Sequence, residues 1–594
     1  MLLPARRQER ADAPCSALPL RLTQSATPHA LTRIQQRPHD PQLARRLQGE
    51  GLPPLLARLY AARGVQGAQD IQHRLGQLLP PDQLLGVDGA ARRLADAIAA
   101  GQKLLIVGDY DADGATASAV GVKGLRLLGA QVDYLVPHRM EHGYGLSPEV
   151  AALAAQRGPD LVITVDNGIA AHAGIAAAGA FGIPVLVTDH HLPGATLPPA
   201  VAIVNPNQPG CAFPSKHLAG VGVMFYLLLA LRAELRRRGA YAGAAEPDLR
   251  TLLDLVALGT VADVVKLDAN NRILVAQGLA RMRAGLACAG IQALFAVAGR
   301  DPARAAASDL GFLLGPRLNA AGRLDDMALG VECLLAADLA GAEPLARRLD
   351  ELNRTRKDVE GDMLDAALAS LDDYDPADRV SLALYQPDWH AGVVGLLASR
   401  LKEKYHRPVI AFAPGGDGEL KGSGRSIPGL HLRDALDLLD RRQPGLMTKF
   451  GGHAMAAGLS LQAAHFPAFA AAWDAVAREL LSPADLARVI ETDGELPPGE
   501  ITLEQVTQLE SGVWGQGFPP PLFEATLTVL QQRLVGEKHM KLTVDHGGQR
   551  LDALAFFHAE PLPPRIHAVF APMTNHYNGS VALQLRLQHW EALA

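Results

Sequence analysis

Lys103-Leu104-Leu105-Ile106-Val107-Gly108-Asp109-Tyr110-Asp111-Ala112-Asp113-Gly114 is an apolar run of strand length that breaks directly into three aspartates. An Ala-rich stretch of helical length, Ala115–Leu128, follows it. The same alternation then recurs. Gln131–Pro137, Asp160–Val165 and Pro184–Thr188 read as strands, and Pro148–Gln156 and Ala170–Ala178 as the helices between them. Strands alternating with helices imply βαβ units and a parallel sheet. An α/β domain is thus established from about Gly101 onward, after a Pro-, Arg- and Gln-rich start of poor periodicity.

The polar residues cluster where such a sheet places its ligands, at the carboxyl ends of strands. The first run ends in Asp109, Asp111 and Asp113, the third in Asp166-Asn167-Gly168 and the fourth in Asp189-His190-His191. A further apolar run, Ala257-Leu258-Gly259-Thr260-Val261-Ala262-Asp263, reads as a fourth strand end carrying an acid. Carboxylates gathered this closely repel one another and are costly to desolvate together without a cation. One Asp after a strand is most simply a cap for the next helix; four such ends together are better explained by two hard divalent ions. Asp109-x-Asp111-x-Asp113-Gly114 also opens like a calcium-binding loop. Its twelfth position is Val120 where a bidentate Glu is required, so calcium is excluded.

Composition narrows the field. The 594 residues are 48% hydrophobic and 20% charged, which is ordinary for a core-forming chain of about four domains. The net charge of −6 gives no general attraction to nucleic acid, so any such site is local. Ten Arg against four acids in residues 1–64 leave the remainder about twelve negative. Four widely spaced cysteines exclude a disulfide framework and a Cys-zinc site, and fit a reducing cytoplasm. The longest uncharged apolar run, Ala219–Leu231, is too short to span a bilayer, and the first residues do not form a signal peptide. The nucleophile elbow, the P-loop and the dinucleotide fingerprint are all missing, which lowers serine hydrolysis, NTP-driven work and hydride transfer.

Five segments are expected: a partly flexible N-terminal extension (1–70), a catalytic α/β domain (71–290), a helical connector (291–375), a smaller α/β domain (376–485) and a β-barrel (486–594). The charged stretch Arg347–Asp362 reads as a long solvated helix in the connector. In the smaller domain, strands Ser381–Tyr385 and Pro408–Ala413 flank helix Val393–Lys404, and a Gly-rich stretch runs to Ser426. Thr526–Val535, Met540–Val544, Leu551–Phe557, Ala568–Ala571 and Val581–Leu587 are five short strands of a small barrel. Trp389 reads equally as core or as a base-stacking platform.

The series Asp109-Tyr110-Asp111-Ala112-Asp113-Gly114, Val165-Asp166-Asn167-Gly168-Ile169, Asp189-His190-His191 and Gly259–Asp263 resembles the motifs of the DHH phosphoesterase superfamily. Pro137–Ser147, Gly315–Leu324, Trp389–Gly395, Gly422–Ser426, Gly451–Gly458 and Val535–Leu542 extend the resemblance to its RecJ family of single-strand-specific 5′→3′ exonucleases, over roughly residues 70–590. The resemblance implies a parallel-sheet DHH domain, a connecting helix, a DHH-associated domain and an OB-fold. It implies that Asp113, Asp166, His190 and Asp263 hold one Mn²⁺ or Mg²⁺ ion. Asp109 and Asp111, with Asp166 bridging, hold the second, and His191 faces the substrate phosphate or positions a ligand. Arg139, Arg323, Ser423 and Arg425 are expected to contact the 5′-terminal phosphate and nearby backbone, and Asn319 and His453 to line the same cleft. Gly lets backbone N–H groups approach phosphates, and Arg supplies a planar fork for them.

The leading expectation is therefore a cytoplasmic, monomeric exonuclease that removes 5′-mononucleotides from single-stranded DNA in recombination and repair, with single-strand-binding protein and a helicase as partners. A DHH oligoribonuclease or small-nucleotide phosphodiesterase is the alternative; the barrel argues against it, since a tiny substrate has no use for a strand-binding surface. A non-catalytic scaffold would need damaged metal motifs, and all are intact.

Overall fold

The computed structural model describes residues 32–139, 141–371, 379–536, 538–577 and 580–593. The expected flexible start, residues 1–31, Cys15 and Met140 lie outside them. The chain enters as β1 (Thr32–Gln36) and soon forms helix α1 (Pro54–Ala61). It then lays down β2 (Lys103–Val107), β3 (Gln131–Leu135), β4 (Leu161–Val165), β5 (Val185–Thr188) and β6 (Ala202–Val204), a parallel sheet in the order β3-β2-β4-β5-β6. Strands β2, β4 and β5 are short runs of Val, Ile and Leu buried on both faces, as a helix-covered parallel sheet requires. The order reverses between β2 and β4, which opens a crevice at their carboxyl ends.

Helix α2 (Ala112–Leu127) begins three residues earlier than its apolar pattern suggests, because Asp111 caps it by accepting the Gly114 N–H at 2.9 Å. Helices α3 (Gly220–Arg237) and α4 (Leu253–Ala262) pack against it. Asp263 is thus the residue after a helix and not, as expected, after a strand. The apolar run before it is buried on nearly every side, which erases the helical period from the sequence.

Helix α5 (Gly315–Leu324) precedes the connector helix α6 (Leu339–Ala369). Most charges of the stretch Arg347–Asp362 face solvent, but three are buried in ion pairs: Asp350 with Arg317, and Glu360 with both Arg356 and Arg400. The last pair ties α6 to α7 (Val394–Tyr405) of the next domain. That domain is a five-stranded mixed sheet, β7 (Leu382–Tyr385), β8 (Val409–Gly416), β9 (Glu419–Arg425), β10 (Lys449–Gly452) and β11 (Ala456–Gln462), in the order β10-β11-β9-β8-β7. Its Gly-rich segments are strands and not the turns their glycines suggest. A Cβ on Gly422 would lie 2.5 Å from the Phe412 ring, so glycine here lets an aromatic residue lie flat on the sheet. Trp389 is only 4% exposed in a core with Val393 and Leu397, which closes the stacking-platform reading.

After β12 (Arg488–Thr492), strands β13 (Phe523–Val535), β14 (His539–His546), β15 (Gln549–Ala555), β16 (Arg565–Tyr577) and β17 (Ser580–Ala592) close a barrel in the order β13-β14-β15-β17-β16. Four pairings are antiparallel and β15–β17 is parallel, the Greek-key closure of an OB-fold. The third strand stops at Ala555, two residues before its expected end.

The N-terminal segment reaches the barrel. Strand β1 pairs with β12 in parallel, α1 places Leu55, Leu56 and Leu59 against the barrel core, and Tyr60 stacks on Trp514 at 5.5 Å. Arg63 makes a two-pronged ion pair with Asp493 at 2.9 Å on each prong, both side chains almost fully buried. Among the described residues no helix is long and apolar enough to cross a membrane.

Candidate active site

The crevice at the β2/β4 reversal collects all seven expected acids and histidines. Ligand atoms of Asp109, Asp111 and Asp166 lie within 4.8 Å of one another, as do those of Asp113, His190 and Asp263. Nε2 of His190 stands 3.1 Å from Asp166 Oδ1 and 3.6 Å from Asp263 Oδ2, so Asp166 stands between the two groups.

Close helix packing builds this geometry. A Cβ on Gly220 would fall 2.6 Å from that of Asp166, and one on Gly259 would fall 2.9 Å from Asp113 Oδ1. Gly220 is therefore a steric requirement of Asp166. Gly259 is one of the packing of Thr116, Val221 and Asp113, since a Cβ there would collide with Thr116 Oγ1 and lie 2.7 Å from Val221. The two Asp113 oxygens accept the Gly220 and Val221 N–H groups, at 2.6 and 3.0 Å, from the first turn of α3. That turn carries the positive end of the helix dipole. Asp166 holds a left-handed backbone, φ 62°, which is uncommon for any residue but glycine and a mark of stored strain at functional sites.

The electrostatics call for cations. Burial first, and then the neighbouring carboxylates, push Asp109, Asp166 and Asp263 well above the usual carboxylate range, and Asp113 up to about 7. Burial together with the charge of His191 brings His190 down to about 4. The Leu218 backbone hydrogen-bonds the ring of His190, which leaves its Nε2 as a bare lone pair. Buried Nε2 of His190 and Oδ1 of Asp166 both lack a hydrogen-bond partner. Orphaned acceptors aimed at one another in a dry crevice fit a metal-binding set, and oxygen with imidazole donors suits Mn²⁺ or Mg²⁺.

A pH dependence follows. Groups with raised folded pKa values stabilise the fold below about pH 4, and that contribution is lost as pH rises through their folded values, about 7 for Asp113. Divalent ions need the same groups ionised. The gap in Tm between Mn²⁺-loaded and chelator-treated protein is therefore expected to widen by several degrees from pH 5 to pH 7.5. A gap that narrows over that range would contradict this electrostatic account.

His191 is held differently from His190. Burial opposes its charge, but its bond to Asp189 at 2.8 Å and the charges of Asp189, Asp109 and Asp111 outweigh burial and lift it to about 9. Asp189 is fully enclosed and also accepts the N–H groups of Ile169, His190 and His191. Sequence reasoning placed Asp189 in the motif without a role. It also passed over Tyr144, whose hydroxyl touches Asp166 and His191; the signal was a Tyr between two glycines in a segment already singled out.

The basic residues converge from three elements. Arg139 lies over the Tyr110 ring at 4.7 Å, Arg323 projects from α5, and Ser423 and Arg425 sit on β9 with Arg425 Nη1 3.3 Å from Ser423 Oγ. Arg323 donates to the Gly392 carbonyl at 3.0 Å, tying α5 to the second domain. Burial and the nearby Arg139 and Arg425 bring it down to about 10, the mark of cations crowded together for an anion. His453 feels the charge of His191 after burial and is lowered, which puts it within electrostatic reach of the metal-binding crevice. Asn319 reaches the aspartate loop itself: its Oδ1 accepts the Ala112 N–H at 2.9 Å, between Asp111 and Asp113.

Known proteins share this succession of domains. The DHH family N-terminal domain matches residues 103–260, the DHHA1 domain residues 379–479 and the RecJ OB domain residues 492–589. The single-stranded-DNA-specific exonuclease RecJ of Salmonella typhimurium is 56% identical over 515 residues, covering 85% of this chain and 89% of that protein. Its Escherichia coli counterpart is 54% identical over 549 residues, with coverage of 90% and 95%. The crystal structure of Thermus thermophilus RecJ in complex with Mn²⁺ superposes with a TM-score of 0.78 at 32% identity, covering 95% of this chain and 80% of that one.

Proposed function

This chain belongs to the RecJ family of exonucleases, and from that premise we propose that it hydrolyses single-stranded DNA from the 5′ end to 5′-mononucleotides in DNA recombination and repair. One observation carries the reading. An acidic crevice fit for two divalent ions faces Arg139, Arg323 and Arg425, none of which pairs with a carboxylate among the described residues. A nucleic-acid end with a terminal phosphate and a scissile phosphodiester supplies anions to both.

Asp113, Asp166, His190 and Asp263 would hold one Mn²⁺ or Mg²⁺, and Asp109, Asp111 and the shared Asp166 the other. When bound, such a pair lowers the pKa of an attacking water and neutralises charge on the phosphate. The chain's own groups do the rest. Arg139, Arg323, Ser423 and Arg425 fix the terminal phosphate, which sets the scissile bond one nucleotide away. Asp189 keeps its hold on Nδ1 of His191, which leaves the proton on Nε2 available to the departing 3′ oxygen of the terminal nucleotide. His453 lines the cleft from the second domain, and Asn319 keeps the aspartate loop in place. The barrel provides the surface along which the rest of the strand lies.

Single-stranded DNA is the substrate partner in this reading. Single-strand-binding protein and a helicase are its protein partners, the monomer is its working unit, and the cytoplasm is its compartment. Family resemblance supports these assignments, together with free and widely spaced Cys211, Cys288 and Cys333 for the compartment.

The test uses end-labelled single strands, duplexes and dinucleotides with Mn²⁺, each bearing a 5′-phosphate or a 5′-hydroxyl. Single strands should be degraded from the 5′ end, and the phosphorylated ones faster. Arg425→Ala should cost about 1.5–3 kcal/mol of that phosphate preference, the scale of a hydrogen bond to a charged group. Its metal binding should be unchanged. Preference for dinucleotides over strands would move the assignment to a small-nucleotide phosphodiesterase. An unaltered phosphate preference in the variant would move the end-binding role to Arg139 or Arg323.

A further inference from the structure

We propose that Tyr144 is a positioning residue: its hydroxyl fixes the strained backbone of Asp166 and the ring of His191 together, so that one side chain sets the geometry on both sides of the scissile phosphate. Tyr144 Oη donates to the Asp166 carbonyl at 3.1 Å and lies 3.3 Å from Nδ1 of His191. The phenol has one proton and two lone pairs, so it can give the first bond and accept the second at once. His191 Nδ1 also meets Asp189 at 2.8 Å, and the shared hydrogen keeps Nε2 turned away from both partners. The Tyr144 ring meets His191 edge-on, with centroids 5.9 Å apart and planes at 85°.

The loop around Tyr144 is built to hold this position. Gly143 and Gly145 adopt left-handed backbones, φ 75° and 65°. A Cβ on Gly145 would press within 3.2 Å of Asn167, and the next N–H, that of Leu146, donates to Asn167 Oδ1 at 3.2 Å. The Asp166-Asn167-Gly168 turn is thus clamped by the Tyr144 loop on one side and by Gly220 on the other. Asp tolerates a left-handed backbone better than most residues, but the conformation is still uncommon and is held here by the contacts around it. The Tyr144 hydroxyl is one of the restraints, and Asp166 is the carboxylate common to both proposed ion sites. Tyr144 is itself 49% exposed, and its ring also meets that of Tyr110 edge-on at 6.0 Å, so hydroxyl and ring contacts have to be separated by experiment.

The inference rests on the two-ion reading of the crevice, and the experiment separates the two. Mn²⁺ binding to the full-length protein is followed by electron paramagnetic resonance without substrate, and single-strand hydrolysis is measured in parallel. Wild type should bind two ions; failure to do so removes the two-ion reading itself. Tyr144→Phe should weaken Mn²⁺ affinity and lower kcat by about tenfold each, the usual effect of losing an outer partner of a metal ligand. KM for the strand should stay within about twofold, and Tm close to wild type. Tyr144→Leu should match Tyr144→Phe if the hydroxyl carries the role. Wild-type affinity and kcat in Tyr144→Phe would overturn the proposal, as would a loss seen only in Tyr144→Leu, which would assign the effect to ring packing.

Discussion

Asp166→Asn should lose hydrolysis almost entirely, with kcat falling at least about a thousandfold, or roughly 4 kcal/mol of transition-state stabilisation. The reason is position. Asp166 belongs to the group with Asp109 and Asp111 and stands 3.1 Å from His190, so both proposed ions lose a ligand when its charge goes. Asparagine is the cleaner substitution because, like aspartate, it tolerates the left-handed backbone at φ 62°, whereas alanine adds strain of its own. Stability should move the other way. With chelator present, the variant removes one of several buried, mutually repelling carboxylates, so its Tm should exceed that of chelated wild type. Single-turnover kinetics and thermal melts check the two halves separately. A variant retaining more than about a tenth of wild-type kcat would remove Asp166 from the bridge between the ions.

Asp493→Ala should destabilise the chain by about 3–5 kcal/mol, the cost of stranding a buried partner of an ion pair. The carboxylate, itself buried, accepts both prongs of Arg63, a bond from the partly buried Arg37 at 3.1 Å and the Leu522 N–H at 3.0 Å. These bonds join the N-terminal segment to the strand and loop that lead into the barrel. The expected consequence is local. The barrel should loosen from the catalytic domain, limited proteolysis should cut between residues 481 and 522, and affinity for long single strands should fall. Cleavage of dinucleotides should persist, since every proposed ion ligand lies before residue 264. An unchanged Tm and proteolytic pattern would show the pair to be incidental.

The metal-binding residues were legible because a parallel sheet confines its loops to one edge. Once Lys103–Val107, Asp160–Val165 and Pro184–Thr188 read as strands of one sheet, the aspartates and histidines after them had to meet. Asp263 came to the same place by another route, a helix so thoroughly buried that its period of 3.6 vanished into a continuous apolar run. The Gly-rich strands were missed for a related reason: glycine in β9 serves close packing on Phe412, and sequence alone cannot separate that from a turn. Asn319 shows the limit for single side chains. Its type suits a place in the cleft, but the backbone N–H that its carbonyl accepts is one that only the fold brings near. The N-terminal strand was illegible in principle, because five residues of mixed polarity pair with a partner that no local pattern announces.

That pairing also bears on how the protein is made. Arg37 and its acceptor Asp493 are 456 residues apart, so the first described strand leaves the ribosome long before anything exists for it to bind. At synthesis rates of roughly 5–20 residues per second, the wait is on the order of 20–90 s. During that time α1 carries Leu55, Leu56 and Leu59 uncovered, and the sheet of the catalytic domain can assemble first. A segment translated well before its partner is thus among the last to be secured. Nascent chains stalled before residue 488 should hold a folded catalytic domain with a protease-sensitive leader, and the leader should become resistant only once the barrel has emerged.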